Sequence, residues 1–149
     1  MEARMELKDF ERVAPAARTA LTALSKAAAE SGLDKALIEL IKIRASQING
    51  CAFCIAFHLV LARSASVPQA KLDLVAAWRE AGLYDAREMA GLAWTEALTS
   101  VTPKGIDDAT YAQAAAAFDE TELAALTAAV VGINAWNRIA TAYRFTPPR

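Results

Sequence analysis

Apolar residues recur every three or four positions along most of the chain, as they do on one face of an α-helix. Residues 35–48 show the pattern well, because Leu37, Ile38, Ile41 and Ala45 form a continuous apolar stripe. The alternation of apolar and polar residues that marks a β-strand is nearly absent. The pattern therefore predicts an all-α protein.

Capping residues and turn formers divide this pattern into about seven helices joined by short connections. Asp34, Asp85 and Asp119 each precede an apolar run, as helix N-caps do. Residues 107–118 are a weaker helix candidate because their apolar face is poor. Helix boundaries are further predicted at Pro15, Gly32, Asn49-Gly50, Val67-Pro68, Gly82 and the loop Thr102-Pro103-Lys104-Gly105.

A chain of 149 residues is long enough for one well-buried core and short for two, so a single domain over residues 1–149 is predicted. Hydrophobic residues make up 55% of it, a high share for a monomer. Much of the excess is alanine, which favours helix formation and close helix packing. This composition is typical of a subunit that buries apolar surface against copies of itself.

The charge distribution argues against several kinds of partner. Sixteen basic and 17 acidic residues are interspersed, so no basic face for nucleic acid is expected. The charged first eleven residues do not resemble a secretory signal, and the apolar stretch Leu123–Trp136 is shorter than the ~20 residues of a membrane span. We predict a cytoplasmic protein, in which two cysteines are more often catalytic or metal-binding than a structural disulfide.

The stretch "QINGCAFCIAFH", residues 47–58, contains both cysteines of the chain and its only histidine. Cys51, Cys54 and His58 stand at positions i, i+3 and i+7, which lie on one face of a helix. Cys51 lies at the presumed helix N-terminus, where free N–H groups and the helix dipole favour a thiolate. These are the requirements of a thiol redox centre.

The same stretch is compatible with a metal site or with a purely structural role. The cysteines and histidine could be ordinary core residues. They could bind zinc with a carboxylate as fourth ligand, although three side chains on one helix make a poor tetrahedron. Covalent haem attachment, in contrast, requires a histidine directly after the second cysteine, where the chain has Ile55.

With Glu39 placed twelve positions before Cys51, the chain resembles a known family. The string Glu39-x11-Cys51-x2-Cys54-x3-His58 is similar to the signature of the alkylhydroperoxidase D-like (AhpD-like) proteins of the carboxymuconolactone decarboxylase superfamily. The segments "IKIRASQINGCAFC", "AAWREAGLYDAREMAGLAWTEALT" and "INAWNR" also look like a CxxC-bearing branch of it. The resemblance covers roughly residues 10–145.

The resemblance implies an all-helical subunit of a homotrimer or homohexamer that reduces hydroperoxides without a metal or other cofactor. Cys54 would be the peroxidatic thiol, and Cys51, nearer the surface, would resolve its sulfenic acid into a disulfide. His58 and Glu39 would form the proton relay. A dithiol donor, such as a lipoyl group or a thioredoxin-like protein, would restore the pair.

The chain departs from the best-known members at Phe53, where they carry a second histidine, and at Ala56, where the branch often has a polar residue. A shorter or weaker proton relay is therefore expected. A non-peroxidatic redox or sensor protein remains an alternative. So does a γ-lactone decarboxylase of the same superfamily, although that reaction does not need paired cysteines.

Glu39 provides a geometric test of the resemblance. In one straight helix it would lie about 28 Å from His58, so it can serve the site only if the chain reverses at Asn49-Gly50. We predict two packed helices with Glu39 facing His58 or Cys54. The alternative is a solvated Glu39 paired with Lys42 at i+3. Polar residues in the last apolar run, such as Asn137, are expected to make buried hydrogen bonds or subunit contacts rather than to act in catalysis.

Overall fold

Helices make up the regular structure of residues 2–103 and 105–148, which are the part of the chain that the computed structural model describes. Lys104, in the predicted loop, lies outside these residues. The described residues contain eight helical segments, one of them broken, and this confirms the prediction of an all-α fold with about seven helices. In chain order they are α1 (Leu7–Val13), α2 (Pro15–Glu30), α3 (Lys35–Ile48), α4 (Ala52–Ser64), the broken segment of α5 (Gln69–Leu74), a 3-10 turn (Val75–Ala77) and α6 (Trp78–Ala81), then α7 (Ala86–Thr99), α8 (Asp108–Ala117) and α9 (Glu120–Tyr143).

The predicted caps form as expected. The Asp34 carboxylate accepts a hydrogen bond from the backbone N–H of Ala36 at 2.9 Å and starts α3. Asp85 and Asp119 each form a reciprocal capping box with the glutamate three residues later. Gly32 has a φ of +86°, so α2 ends where the sequence indicated. Local signals alone therefore locate most helix ends.

The sequence pattern did not predict helix α1 and gave only a weak prediction of α8. Helix α1 lies within the charged N-terminal stretch and is held by Phe10, whose ring contacts Trp136, Tyr143 and Phe145. Helix α8 forms despite its weak apolar face, because it packs on α7 and buries Ala114. In both cases a tertiary contact supplies stability that local periodicity does not show.

Helix α3 lies at the centre of the molecule, with α4, α7 and α9 packed around it. Leu40, Ile41 and Ile43 on α3 are fully buried. Helix α9 is long and apolar enough to cross a membrane by length and composition. Within the described chain it packs on α2, α3 and α7 and buries Leu126 and Val130, as a core helix does. This arrangement places the α3–α4 connection against α9.

Candidate active site

The chain reverses direction between α3 and α4 at Asn49-Gly50. Asn49 ends α3, Gly50 has a φ of +65°, and the backbone N–H of Cys51 donates to the Ser46 carbonyl at 3.0 Å. Glycine adopts this left-handed conformation at little steric cost. Helices α3 and α4 therefore pack side by side, as predicted.

Polar side chains from α9 hold this turn in place. The side-chain amide of Asn49 donates to Asn137 Oδ1 at 2.9 Å and to Asn134 Oδ1 at 3.0 Å. Asn137 Nδ2 in turn donates to Ser46 Oγ at 3.0 Å. Asn137 is buried, so the expectation that it makes buried hydrogen bonds is confirmed. The network connects the turn before Cys51 to the core helix.

The reversal brings Glu39 onto His58. Glu39 Oε2 lies 2.7 Å from His58 Nδ1, and both residues are buried. The prediction that Glu39 faces His58 across two packed helices is confirmed, and the alternative of a solvated Glu39 is wrong. Lys42 nevertheless pairs with the same carboxylate, since its Nζ lies 3.6 Å from Glu39 Oε1. The carboxylate therefore bridges a lysine and the histidine.

The two cysteines form a buried pair at the start of α4. Cys51 is the N-cap, and its Sγ accepts a hydrogen bond from the Cys54 backbone N–H at 3.3 Å. The two Sγ atoms lie 2.7 Å apart. Cys51 is 2% exposed and Cys54 3%, so both thiols are buried to the same extent and neither is the exposed one. As the N-cap of α4, Cys51 directly follows the Asn49-Gly50 turn, which is hydrogen-bonded to α9.

The environment favours the negative charge on Cys51. A hydrogen bond from the Cys54 thiol and another from its backbone N–H lower the pKa of Cys51 to about 6 against the effect of burial. Donating its proton to Cys51 raises the pKa of Cys54, as do its burial and the nearby Cys51 charge. The pair therefore loses its first proton as a unit, and the remaining proton lies on Cys54.

Only one of the cysteines faces the cavity next to this site. The cavity has a volume of about 290 Å³, and its lining includes Cys54 and His58 but not Cys51. Phe53 forms part of the wall at the position where the resemblance suggested a second histidine. Its charged lining residues are Lys42 and Glu11, and Thr22 and Ser25 add uncharged hydroxyl groups. Its apolar lining residues are Leu7, Phe53, Phe57, Leu61, Ile133 and Trp136.

The zinc alternative requires several ligating side chains to converge on one point. Within residues 2–103 and 105–148, no three His, Cys, Asp or Glu side chains are grouped in a way that could hold a metal ion.

The all-helical fold, the buried CxxC pair and the Glu–His pair from two adjacent helices together define a helical protein with a dithiol site. The family model "Carboxymuconolactone decarboxylase family" matches residues 15–97. This match covers more than half of the chain, and the protein belongs to that family.

Related proteins extend this similarity to nearly the whole chain. The chain is 33% identical over 133 residues to the uncharacterized protein YdfG of Bacillus subtilis, covering 89% of this chain and 90% of that protein. It is 35% identical over 100 residues to the uncharacterized protein YnjA of Escherichia coli, covering 67% of this chain and 54% of that protein.

Solved structures share the fold. One, a protein from Agrobacterium tumefaciens, superimposes with a TM-score of 0.92 at 35% identity, covering 99% of both chains. Its name describes it as of unknown function and links it to the antioxidant defence protein AhpD. An uncharacterized peroxidase-related protein from Ralstonia eutropha, named as an alkylhydroperoxidase AhpD core, superimposes with a TM-score of 0.81 at 20% identity. The match covers 94% of this chain and 75% of that one. This second likeness concerns the fold alone.

Proposed function

We propose that the protein is a thiol-dependent peroxidase that reduces hydroperoxides through a Cys51–Cys54 dithiol–disulfide cycle. The observation that carries this proposal is that Cys54 and His58 line the same cavity while Cys51 lies directly behind Cys54. A peroxide in the cavity would meet one sulfur, with the second sulfur in position to resolve the product.

In the first step the dithiol loses one proton to His58, whose imidazolium is stabilised by Glu39. The remaining proton moves from Cys54 to Cys51 across the 2.7 Å gap between the Sγ atoms, leaving a thiolate on Cys54. This thiolate attacks the hydroxyl oxygen of ROOH. The O–O bond breaks, Cys54 becomes a sulfenic acid when the hydroxyl of the peroxide stays on sulfur, and His58 protonates the leaving alkoxide to ROH.

In the second step Cys51 attacks the sulfur of the Cys54 sulfenic acid. The S–S bond forms, the S–O bond breaks, and the departing hydroxyl leaves as water with the proton of Cys51. The net reaction converts the dithiol and ROOH into a disulfide, ROH and water. Two electrons from a dithiol donor, such as a lipoyl group or a thioredoxin-like protein, would then reduce the disulfide.

The names of structural relatives support this reaction class. The Agrobacterium protein, which shares 35% of its sequence with this chain, carries a name linked to AhpD and antioxidant defence. The cavity walls are mainly apolar, which suits an organic hydroperoxide.

The proposal is tested by following peroxide consumption with dihydrolipoamide or a reduced thioredoxin as the electron donor. Cys54→Ser should abolish consumption, because it removes the sulfur that faces the cavity. Cys51→Ser should stop turnover after one equivalent of peroxide, because the sulfenic acid then has no partner for a disulfide.

Full activity in Cys54→Ser would show that the assigned sulfur is wrong. A wild-type protein that cycles between dithiol and disulfide but consumes no peroxide with any donor would support the redox or sensor alternative instead. An assay with a carboxylated γ-lactone, followed by carbon dioxide release, would test the decarboxylase alternative.

A further inference from the structure

Lys42 is the basic residue on the cavity wall, and the proposed cycle does not use it. Its side chain is 12% exposed, and its Nζ lies 3.6 Å from Glu39 Oε1, which is beyond hydrogen-bond distance. Its ion pair is with Glu39, whose other carboxylate oxygen contacts His58. An ammonium group removed from water in this way carries a cost unless its charge is compensated.

From this geometry we propose that Lys42 is a positioning residue that keeps Glu39 a carboxylate and thereby keeps His58 available as a base. The inference rests on the proposed function for its role in turnover. Its geometric basis is the Lys42–Glu39–His58 chain of contacts and the shared cavity.

The protonation state of Glu39 decides which nitrogen of His58 carries the proton. As a carboxylate, Glu39 accepts a hydrogen bond from Nδ1–H, and the lone pair of Nε2 is left to take a proton. A protonated Glu39 would instead donate to Nδ1, and the ring proton would then be on Nε2. The neutral ring would no longer offer a base at Nε2. A cation beside the carboxylate favours the first arrangement.

Charge balance supports the same role. Before proton transfer Lys42 and Glu39 cancel, and the dithiol and His58 are neutral. After transfer the imidazolium and the thiolate cancel as well, so the buried group has no net charge in either state. Without Lys42 the same site would carry one uncompensated negative charge in both states, and a new thiolate would be disfavoured by Coulomb repulsion.

Few other charges face this group. From α1, Glu11 lines the cavity and pairs with Arg18 of α2 at 3.3 Å. Helices α2 and α9 otherwise contribute Thr22, Ser25, Ile133 and Trp136, none of them charged. Helix α4 contributes Cys54 and His58. Among the described cavity residues Lys42 is therefore the cation placed to balance Glu39.

The test measures alkylation of Cys54 by iodoacetamide as a function of pH in a Cys51→Ser background, which leaves one thiol and requires no peroxide. Lys42→Met should move the midpoint of the profile upward by about one pH unit, a rate about tenfold lower at neutral pH. Lys42→Arg should restore most of the rate because it retains the charge. Lys42→Gln should behave like Lys42→Met and serves if the methionine variant does not fold.

A double-mutant cycle separates this role from a direct effect on sulfur. Glu39→Gln alone should slow alkylation by about 100-fold, and adding Lys42→Met should cause no further loss. An equal loss from Lys42→Met in both backgrounds would mean that the lysine acts without Glu39, and the proposal would be wrong. An unchanged profile in Lys42→Met would overturn it equally.

Lys71→Met is the matched control. Lys71 is a partly buried lysine paired with Glu88 at 2.5 Å, and neither residue lines the cavity. Lys71→Met should leave the pH profile of Cys54 alkylation unchanged. A shift as large as that of Lys42→Met would mean that losing any partly buried lysine changes the profile. Should the wild-type protein reduce no peroxide while Lys42→Met still shifts the profile, the proposed function fails and the role of Lys42 stands.

Discussion

At the scale of single residues, the decisive feature is the asymmetry between the two cysteines. Cys51 caps α4 and accepts two hydrogen bonds from Cys54, one from its N–H and one from its thiol. Cys54 lines the cavity and retains the proton. Electrostatic stabilisation and access to the cavity therefore belong to different sulfurs. In the reduced pair, a proton transfer between the two must therefore precede attack on a peroxide.

This asymmetry predicts that the reduced pair forms a thiolate at a lower pH than an ordinary cysteine does. In the reduced protein, titration of thiolate absorbance should give a first step near the pKa of about 6 expected for Cys51. Because this value lies below the unfolded value of about 8.5, the charge stabilises the fold fully above pH ~8.5, and this contribution is lost as the pH falls through about 6.

Cys54→Ala should raise the pKa of Cys51, because it removes the thiol whose hydrogen bond is the largest cause of the lowered value. The titration step should then appear at higher pH. The reduced protein unfolded in guanidinium chloride is the control and should titrate near 8.5. A wild-type step that coincides with that of the unfolded protein would contradict the assignment of the charge.

At the scale of helices, the site depends on how α3, the turn and α4 are joined. Gly50 has a φ of +65° and open space where a Cβ would stand, so its substitution is opposed by backbone conformation alone. The same is true of Gly32, with a φ of +86°, at the end of α2 and away from the cysteines.

Gly50→Ala and Gly32→Ala should each lower the free energy of unfolding by about 1 kcal/mol, as measured by urea denaturation. Only Gly50→Ala should also slow the alkylation of Cys54, because relaxation of its turn moves Cys51 and α4 relative to Glu39. Equal slowing in both variants would show that thiol reactivity follows global stability rather than the geometry of the turn.

At the scale of the whole molecule, α4 presents apolar side chains to solvent on the side of the cavity. Phe57, Val60 and Leu61 are 42%, 54% and 38% exposed, and Phe57 and Leu61 also line the cavity. We propose that copies of this chain associate through this face, as the apolar composition and the family resemblance led us to expect. Such an assembly would cover part of the cavity opening.

Light scattering coupled to size-exclusion chromatography should therefore show a trimer or hexamer for the wild-type protein. Val60→Glu should shift it to the monomer, because the new carboxylate would be buried without a partner. Val13→Glu is the control, since Val13 is 56% exposed but belongs to α1. A monomeric wild-type protein would exclude the association. Dissociation by Val13→Glu but not by Val60→Glu would place the interface away from α4.

Several features of the fold were accessible from sequence because they are local. Capping by Asp34 or Asp119 requires only a side-chain oxygen within a few residues of a free N–H, and Gly50 marks a conformation that few other residues adopt easily. Helix α1 was not accessible in this way. Its stability comes from Phe10 packing on residues more than a hundred positions away in the chain.

For the candidate site too, local sequence signals decided some features and tertiary contacts decided others. The sequence by itself determined the candidate residues, since Glu39, Cys51, Cys54 and His58 stand at a recognisable spacing, and Asn49-Gly50 predicted the turn that brings Glu39 back to His58. The tertiary structure decided that both sulfurs are buried, that Cys54 alone of the two faces the cavity, and that Lys42 shares Glu39 with His58. The Lys42–Glu39 pair itself lies at i,i+3 on α3 and is visible in the sequence. Burial, the cavity walls and the contact of Glu39 with His58 depend instead on separate helices packing together, and distances between separate helices are not encoded in spacing along one of them.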